Sequence, residues 1–225
     1  MREKILYTCG FLAAVLLIRN LYVLLLQLPD EADQGPVYRI LFYHVPAWFT
    51  SGVAIIAALA GSVMYLVRKD LWWDTLAVAA TEVAVAFITV GLVTGSIWGR
   101  IAWGIWWTWD ARLTSALVLW LLYFGYLILR TSIEDPTARA RISAVFSIFA
   151  FADVPIVWYS IEWFRTQHPA PVLRGDGYMD PAFKAVLYLN WPALMLLAGV
   201  LLAVRMRQEE RRREIDGLRR LAHSM

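Results

Sequence analysis

Residues 75–97 read TLAVAATEVAVAFITVGLVTGSI. The run carries one charged side chain, Glu82, and its apolar residues are continuous rather than alternating. As a helix it is about 35 Å long, enough to cross a hydrocarbon core of roughly 30 Å. A segment in lipid must satisfy its backbone polar groups internally, and nothing here alternates as a barrel strand would, so the run is expected to be a transmembrane helix. Working outward, five more runs have the same character: 5–28, 45–67, 111–129, 142–160 and 181–204. The fold class expected is therefore an all-α integral membrane protein with six transmembrane helices. Composition agrees: the 225 residues are 60% hydrophobic and 17% charged, where soluble domains carry about a quarter charged residues.

Orientation follows from the basic residues. With the N-terminus inside, the cytoplasmic segments carry Arg2, Lys4, Arg68, Lys69, Arg130, Arg139, Arg141 and the seven arginines after Val204. On the other side or its margin lie Arg39, Arg100, Arg112, Arg165, Arg174 and Lys184, while Arg19 falls within the first span. This asymmetry predicts both termini in the cytoplasm and three external connections, 29–44, 98–110 and 161–180. Pro169, Pro171 and Pro181 make the last of these a turn-rich loop.

Residues 1–204 read as one transmembrane domain and 205–225 as a charged cytoplasmic tail, with no repeat, low-complexity segment or soluble domain. The N-terminal run is long and carries Arg19 inside it, so it is expected to be a retained signal anchor. In the tail Glu209, Glu210 and Glu214 alternate with arginines at helical spacing. It reads either as a solvated helix near anionic lipid or as a docking site for a cytoplasmic partner. The single cysteine, Cys9, excludes an intramolecular disulfide, a CxxC pair and covalent c-type attachment of heme. With no dense His/Glu cluster either, a closed zinc site is not expected.

The connection that follows residues 75–97 is W-G-R-I-A-W-G-I-W-W-T-W-D, from Trp98 to Asp110. It holds Trp98, Trp103, Trp106, Trp107 and Trp109, five of the chain's twelve tryptophans. An aromatic belt at the membrane interface explains tryptophans scattered over helix ends, such as Trp48, Trp72 and Trp73. The alternative is a ligand platform. Trp103, Trp106, Trp107 and Asp110 follow i, i+3, i+4, i+7, so a short helix would align them on one face and offer rigid area to a large flat apolar ligand. Asp110 also precedes an apolar run and is placed to N-cap the next helix. Arg112 is one turn in, where it could pair with Asp110 or reach an anionic group.

His44 and His168 fall on the external side with this segment, and His223 lies in the tail. Neutral imidazole is a common iron ligand, and two from separate loops could take both axial positions of a heme lying between them. Arg19, Glu82 and Asp153 lie inside spans, where ionisable groups are costly and are paired or functional. Arg19 with Glu82 is the expected interhelical ion pair. Asp153 precedes Val154-Pro155, where a kink is expected.

With these residues in view, W-G-I-W-W-T-W-D-A-R-L-T-S at 103–115 resembles the signature of the WWD-domain heme-handling proteins, and most closely the heme exporter protein C family of the bacterial cytochrome c maturation system I. Y-H-V-P-A-W at 43–48 and D-V-P-I at 153–156 are similar to the same family, and the likeness covers nearly the whole chain. It implies a multi-pass protein of the bacterial inner membrane that binds heme b non-covalently at the periplasmic face. Trp103, Trp106, Trp107, Trp109 and Asp110 would hold the macrocycle, and His44 and His168 would be the axial ligands. The implied partners are a membrane-anchored periplasmic heme chaperone, the ATPase and permease subunits of an ATP-binding cassette complex, a small membrane subunit and membrane lipid, with no nucleic acid. Heme propionates are anionic, and Arg100 and Arg112 flank the platform, so these are the arginines expected to meet them. The function implied is delivery of heme to the chaperone by a scaffold rather than an enzyme. Two other readings compete: a permease subunit passing a substrate near Arg19, Glu82 and Asp153, and a heme lyase with the same motif. The short chain argues against the lyase, whose relatives have more helices and histidines.

Overall fold

A computed structural model describes residues 2–169 and 179–224. Its helices are α1 (Arg2–Leu26), α2 (Leu41–Arg68), α3 (Leu71–Trp103), α4 (Ala111–Thr131), α5 (Pro136–Phe151), α6 (Asp153–Trp163) and α7 (Pro181–Ser224), with a 3-10 turn, Pro36–Ile40, leading into α2. Among the described residues there is no strand, only an isolated bridge between Glu31 and Gly35. Six helical segments are long and apolar enough to cross a membrane, the fifth being α5 and α6 together. All six expected spans are present. Six crossings leave the two chain ends on one face, opposite the one that carries His44 and His168.

Local chemistry sets the boundaries. Lys69 takes a left-handed conformation and its N–H bonds the Tyr65 carbonyl at 2.8 Å, closing α2. Asp70 then caps α3, its Oδ1 accepting the Trp72 N–H at 2.9 Å. Asp135 does the same for α5, with Pro136 in the first turn. Proline lacks an N–H, so Pro155 cannot continue the ladder to Phe151; the helix breaks at Ala152, where the kink was expected.

The most apolar window of α3 is 61% buried and that of α1 only 17%. The quoted stretch is therefore the axis of the bundle and α1 its periphery. α2 packs most extensively on α3, and both helices bury small residues, Ala47, Ala54 and Ala58 on α2 and Ala77, Ala80 and Ala84 on α3. At Gly61 a Cβ would come within 2.8 Å of the Trp73 carbonyl, so only glycine permits this approach. α1 packs on α7 and is tied to it by buried amides: Asn20 Nδ2 donates to Asn190 Oδ1, and Asn190 Nδ2 to the Phe42 carbonyl, both at 2.9 Å.

One expectation needs correction here. Arg19 does not pair with Glu82; it donates to the neighbouring Asn20 Oδ1 at 2.9 Å. α7 packs against both α1 and α3, so it is Arg205 of α7 that reaches Glu82, one contact being 2.7 Å. The tail is continuous with the last span, and most of its residues are exposed. α7 runs without a break through residue 205, and its Glu209 and Arg213 join a charge cluster with Asp74 of α3 and Arg130 of α4. Arg130 holds Asp74 with two bonds, 2.6 and 2.9 Å, and the two side chains are only 6% and 3% exposed. Charges so buried persist only when paired.

Candidate functional site

On the face opposite the chain ends, the first turn of α2, the last turns of α3, the start of α4 and the segment after α6 converge. α3 supplies the floor through Gly91, Gly95 and Gly99, spaced four apart and hence on one helix face. A Cβ at Gly91 would lie 2.6 Å from Nε1 of Trp48, and one at Gly95 would lie 3.0 Å from Cε1 of His44. Trp48 and His44 are thus seated directly on the α3 backbone, one turn apart on α2, with their rings edge to face at 6.3 Å. His44 Nδ1 lies 2.9 Å from the hydroxyl of Thr94.

The segment after Trp98 differs from the expected short helix. α3 continues through Trp98, Arg100 and Trp103, then stops at Gly104, whose φ of +78° favours glycine. Residues 104–110 form a bend and an extended stretch that ends at Asp110, the N-cap of α4. Trp103, Trp106, Trp107 and Asp110 therefore do not share a helix face. Instead Trp98 packs edge-on against Trp103 at 5.0 Å, and Trp107 against Trp109 at 5.9 Å. Trp106 and Trp109 turn outward, 60% and 76% exposed. Trp107 Nε1 and Thr108 Oγ1 are buried with no hydrogen-bond partner.

Asp110 does cap α4, its Oδ1 accepting the Leu113 N–H at 2.9 Å. Its second oxygen holds the segment after α6: Thr166 Oγ1 donates to Oδ2 at 2.6 Å and the Gln167 N–H at 3.1 Å. Burial alone would raise the Asp110 carboxyl, but the bonds from Leu113, Thr166 and Gln167 outweigh it and keep the group below the usual carboxylate value. The His168 N–H in turn donates to Thr166 Oγ1 at 3.0 Å. His168 Nδ1 is 2.8 Å from the Pro169 carbonyl, an acceptor only, so Nδ1 carries the proton and Nε2 keeps its lone pair. The His168 imidazole is held below its usual value, by burial first and by the Arg112 charge second. It is neutral at pH 7. His44 and His168 lie within electrostatic reach of each other and of Arg112.

The arginines divide. Arg39 is committed to the Leu24 and Leu28 carbonyls and to Asp30. Arg100 donates to the Gly104 carbonyl, and Arg112 to the Val157 carbonyl of α6 rather than to Asp110. Arg165 lines a shallow depression with Trp109, Asp110 and Thr166. Arg174 lies outside the described residues, as does the middle of the proline-bearing loop, and nothing is described of the His223 side chain. Sequence reasoning missed Thr94 and the glycine ladder, although G-x-x-x-G-x-x-x-G is legible in residues 91–99 and marks close helix packing. Thr166 had no such signal. Among the described residues no group of three or more His, Cys, Asp or Glu side chains could hold a metal ion.

This arrangement offers two imidazoles, broad indole area, two unused donors and a guanidinium on one interfacial face. Comparison with known proteins gives the same direction. The profile of the family described as heme exporter protein C matches residues 1–220. Heme exporter protein C of Bradyrhizobium diazoefficiens is 39% identical over 202 residues, 87% of this chain and 75% of the relative. The protein of the same description from Escherichia coli K12 is 37% identical over 180 residues, 80% and 73% of the two chains. A mitochondrial protein of Marchantia polymorpha named for cytochrome c biosynthesis is 29% identical over 201 residues, 89% and 84%.

Proposed function

The chain belongs to the heme exporter protein C family, and on that premise we propose that it binds heme b non-covalently between His44 and His168 and presents it to an acceptor protein. Handling of heme for cytochrome c biogenesis comes with the family; the site and the hand-over are the proposal. The observation that supports it is that two imidazoles, one from α2 and one from the segment after α6, lie within electrostatic reach of each other, with Asp110 of the tryptophan segment bonded to the stretch that carries His168. The donor set fits the cargo. Neutral imidazole nitrogen suits iron, and indoles suit the flat ring. The buried Trp107 N–H and Thr108 hydroxyl suit a ligand that brings acceptors to them.

In this reading His44 and His168 set the iron coordination, and Trp103, Trp106, Trp107 and Trp109 orient the ring. Asp110 holds the His168 segment in place. Arg112 and Arg100 meet the propionates with the guanidinium N–H groups that their carbonyl contacts leave free. The protein lies in the bacterial inner membrane with this face toward the periplasm. The acceptor is a membrane-anchored periplasmic heme chaperone, and the other partners are the ATPase, permease and small subunits of an ATP-binding cassette complex. The protein is a scaffold; covalent capture of heme belongs to the acceptor.

The permease reading has one observation in its favour: Tyr123, Ser143 and Ser147 bury hydroxyls in the bundle without partners among the described residues. Absorption spectra of the protein purified from membranes decide between them. With heme supplied and the acceptor present, the wild type is expected to show a Soret band that is lost or shifted in both His44→Ala and His168→Ala. A colourless wild type overturns the heme reading.

A further inference from the structure

We infer that Thr94 is a positioning residue for His44, holding the imidazole with its proton on Nδ1 and the lone pair on Nε2. The inference deepens the heme reading above and rests on it only for its consequence in binding.

The argument is one of proton accounting. A threonine hydroxyl has one proton to give. Thr94 Oγ1 lies 2.6 Å from the Val90 carbonyl and 3.2 Å from that of Gly91. Neither carbonyl can donate, and two oxygens at 2.6 Å need a proton between them. The hydroxyl proton therefore points back along α3, and toward His44 Thr94 presents a lone pair. His44 Nδ1, 2.9 Å away, must then be the donor. A neutral ring protonated at Nδ1 has its free lone pair on Nε2, the form a metal ligand requires.

Position is fixed as well as tautomer. Gly95 allows the ring to lie against α3, since a Cβ there would meet Cε1 at 3.0 Å. Trp48, on Gly91 one turn away, stands edge-on to it. Thr94 and Gly95 are adjacent, so α3 provides both the surface that seats the ring and the acceptor that turns it. His168 reaches the same tautomer through a backbone carbonyl, Pro169, which no side-chain substitution removes. His44 has the Thr94 hydroxyl as its side-chain acceptor, beside the backbone carbonyl of Gly91 on the same turn, and only the first can be removed by a side-chain substitution. Partners of this kind fix ring orientation and raise the basicity of the liganding nitrogen; removing one typically weakens binding about 10- to 100-fold.

The test uses the full-length protein in membrane mimetic with ring-15N histidine, heme-free and in mildly alkaline buffer, as wild type, Thr94→Val and Thr94→Ser. Nitrogen NMR is expected to show His44 protonated at Nδ1 in the wild type and in Thr94→Ser, and a population protonated at Nε2 in Thr94→Val. His168 is the internal control and is expected to keep its Nδ1 proton in all three. Heme titration of the same samples is expected to show affinity about 10-fold lower or more in Thr94→Val, restored in Thr94→Ser. A wild-type His44 protonated at Nε2 overturns the inference. So does a Thr94→Val protein with unchanged tautomer, or one in which His168 shifts equally, which would make the effect a general disturbance. A wild type that shows the Nδ1 tautomer but takes up no heme refutes the proposed function and leaves the Thr94 assignment standing.

Discussion

Thr166 donates its hydroxyl to Oδ2 of Asp110 at 2.6 Å, joining residues 56 apart in sequence. Because Oδ1 of the same carboxylate caps α4, one side chain fixes both a helix start and the segment that carries His168. Asp110→Ala is expected to cost about 0.5–2 kcal/mol through the lost cap and to release His168 as well. Thr166→Val removes only the second link. Unfolding measurements should therefore separate the two variants, while the Soret band shifts in both. A Thr166→Val spectrum identical to wild type would show that the link does not position the histidine.

His168 gives a pH prediction. Its folded-state value lies below the ordinary 6.5, through burial and then Arg112, so below 6.5 the unfolded chain binds protons more readily than the folded one. The sign follows: this histidine's contribution to stability is complete above 6.5 and declines as pH falls from 6.5 toward the folded-state value. Ring-NMR titration of the heme-free protein should give a midpoint below 6.5, and Arg112→Gln should move that midpoint upward. A midpoint at or above 6.5 contradicts the geometry.

The glycine ladder predicts graded steric effects. Gly91→Ala drives a methyl to within 2.6 Å of the Trp48 ring, and Gly95→Ala to 3.0 Å from His44. Overpacking of this sort costs about 1–3 kcal/mol, so Gly91→Ala should lower the thermal midpoint more. Gly95→Ala should instead act mainly on heme affinity, by pushing His44 off its seat. Equal losses of affinity in both would argue against a local effect at His44.

At the opposite face, removing Arg130 takes two bonds from buried Asp74 and leaves it Arg213 as its counter-charge; breaking a buried pair costs up to about 3–5 kcal/mol. Arg130→Met should be strongly destabilising, whereas Arg219→Ala, with its side chain 73% exposed, should be close to neutral. A double-mutant cycle should find coupling between Arg205 and Glu82 and none between Arg19 and Glu82.

The six spans were legible because lipid imposes length and apolarity directly on sequence. The capping role of Asp110 was legible too, since an acid before an apolar run has few other local uses. The shape of residues 104–110 was not. The tryptophan spacing matched a helix, but one glycine at positive φ and one acid in extended conformation interrupted it, and periodicity counts neither. The Glu82 partner was misread because two intramembrane charges invite pairing, while Arg205 lay past the apparent end of the last span. Its helix simply continues. Thr94 looked like one more small residue in a span, and its meaning came only from His44 arriving 50 positions earlier in the chain.

Trp106 and Trp109 face outward with most of their surface uncovered. A ligand resting on them would have one side open, and whatever it gained in contact there it could regain from another protein's surface. Such a ledge suits brief residence. In the proposed hand-over, exchange would proceed by gradual replacement of one set of contacts with the next, so that heme need never pass free through water.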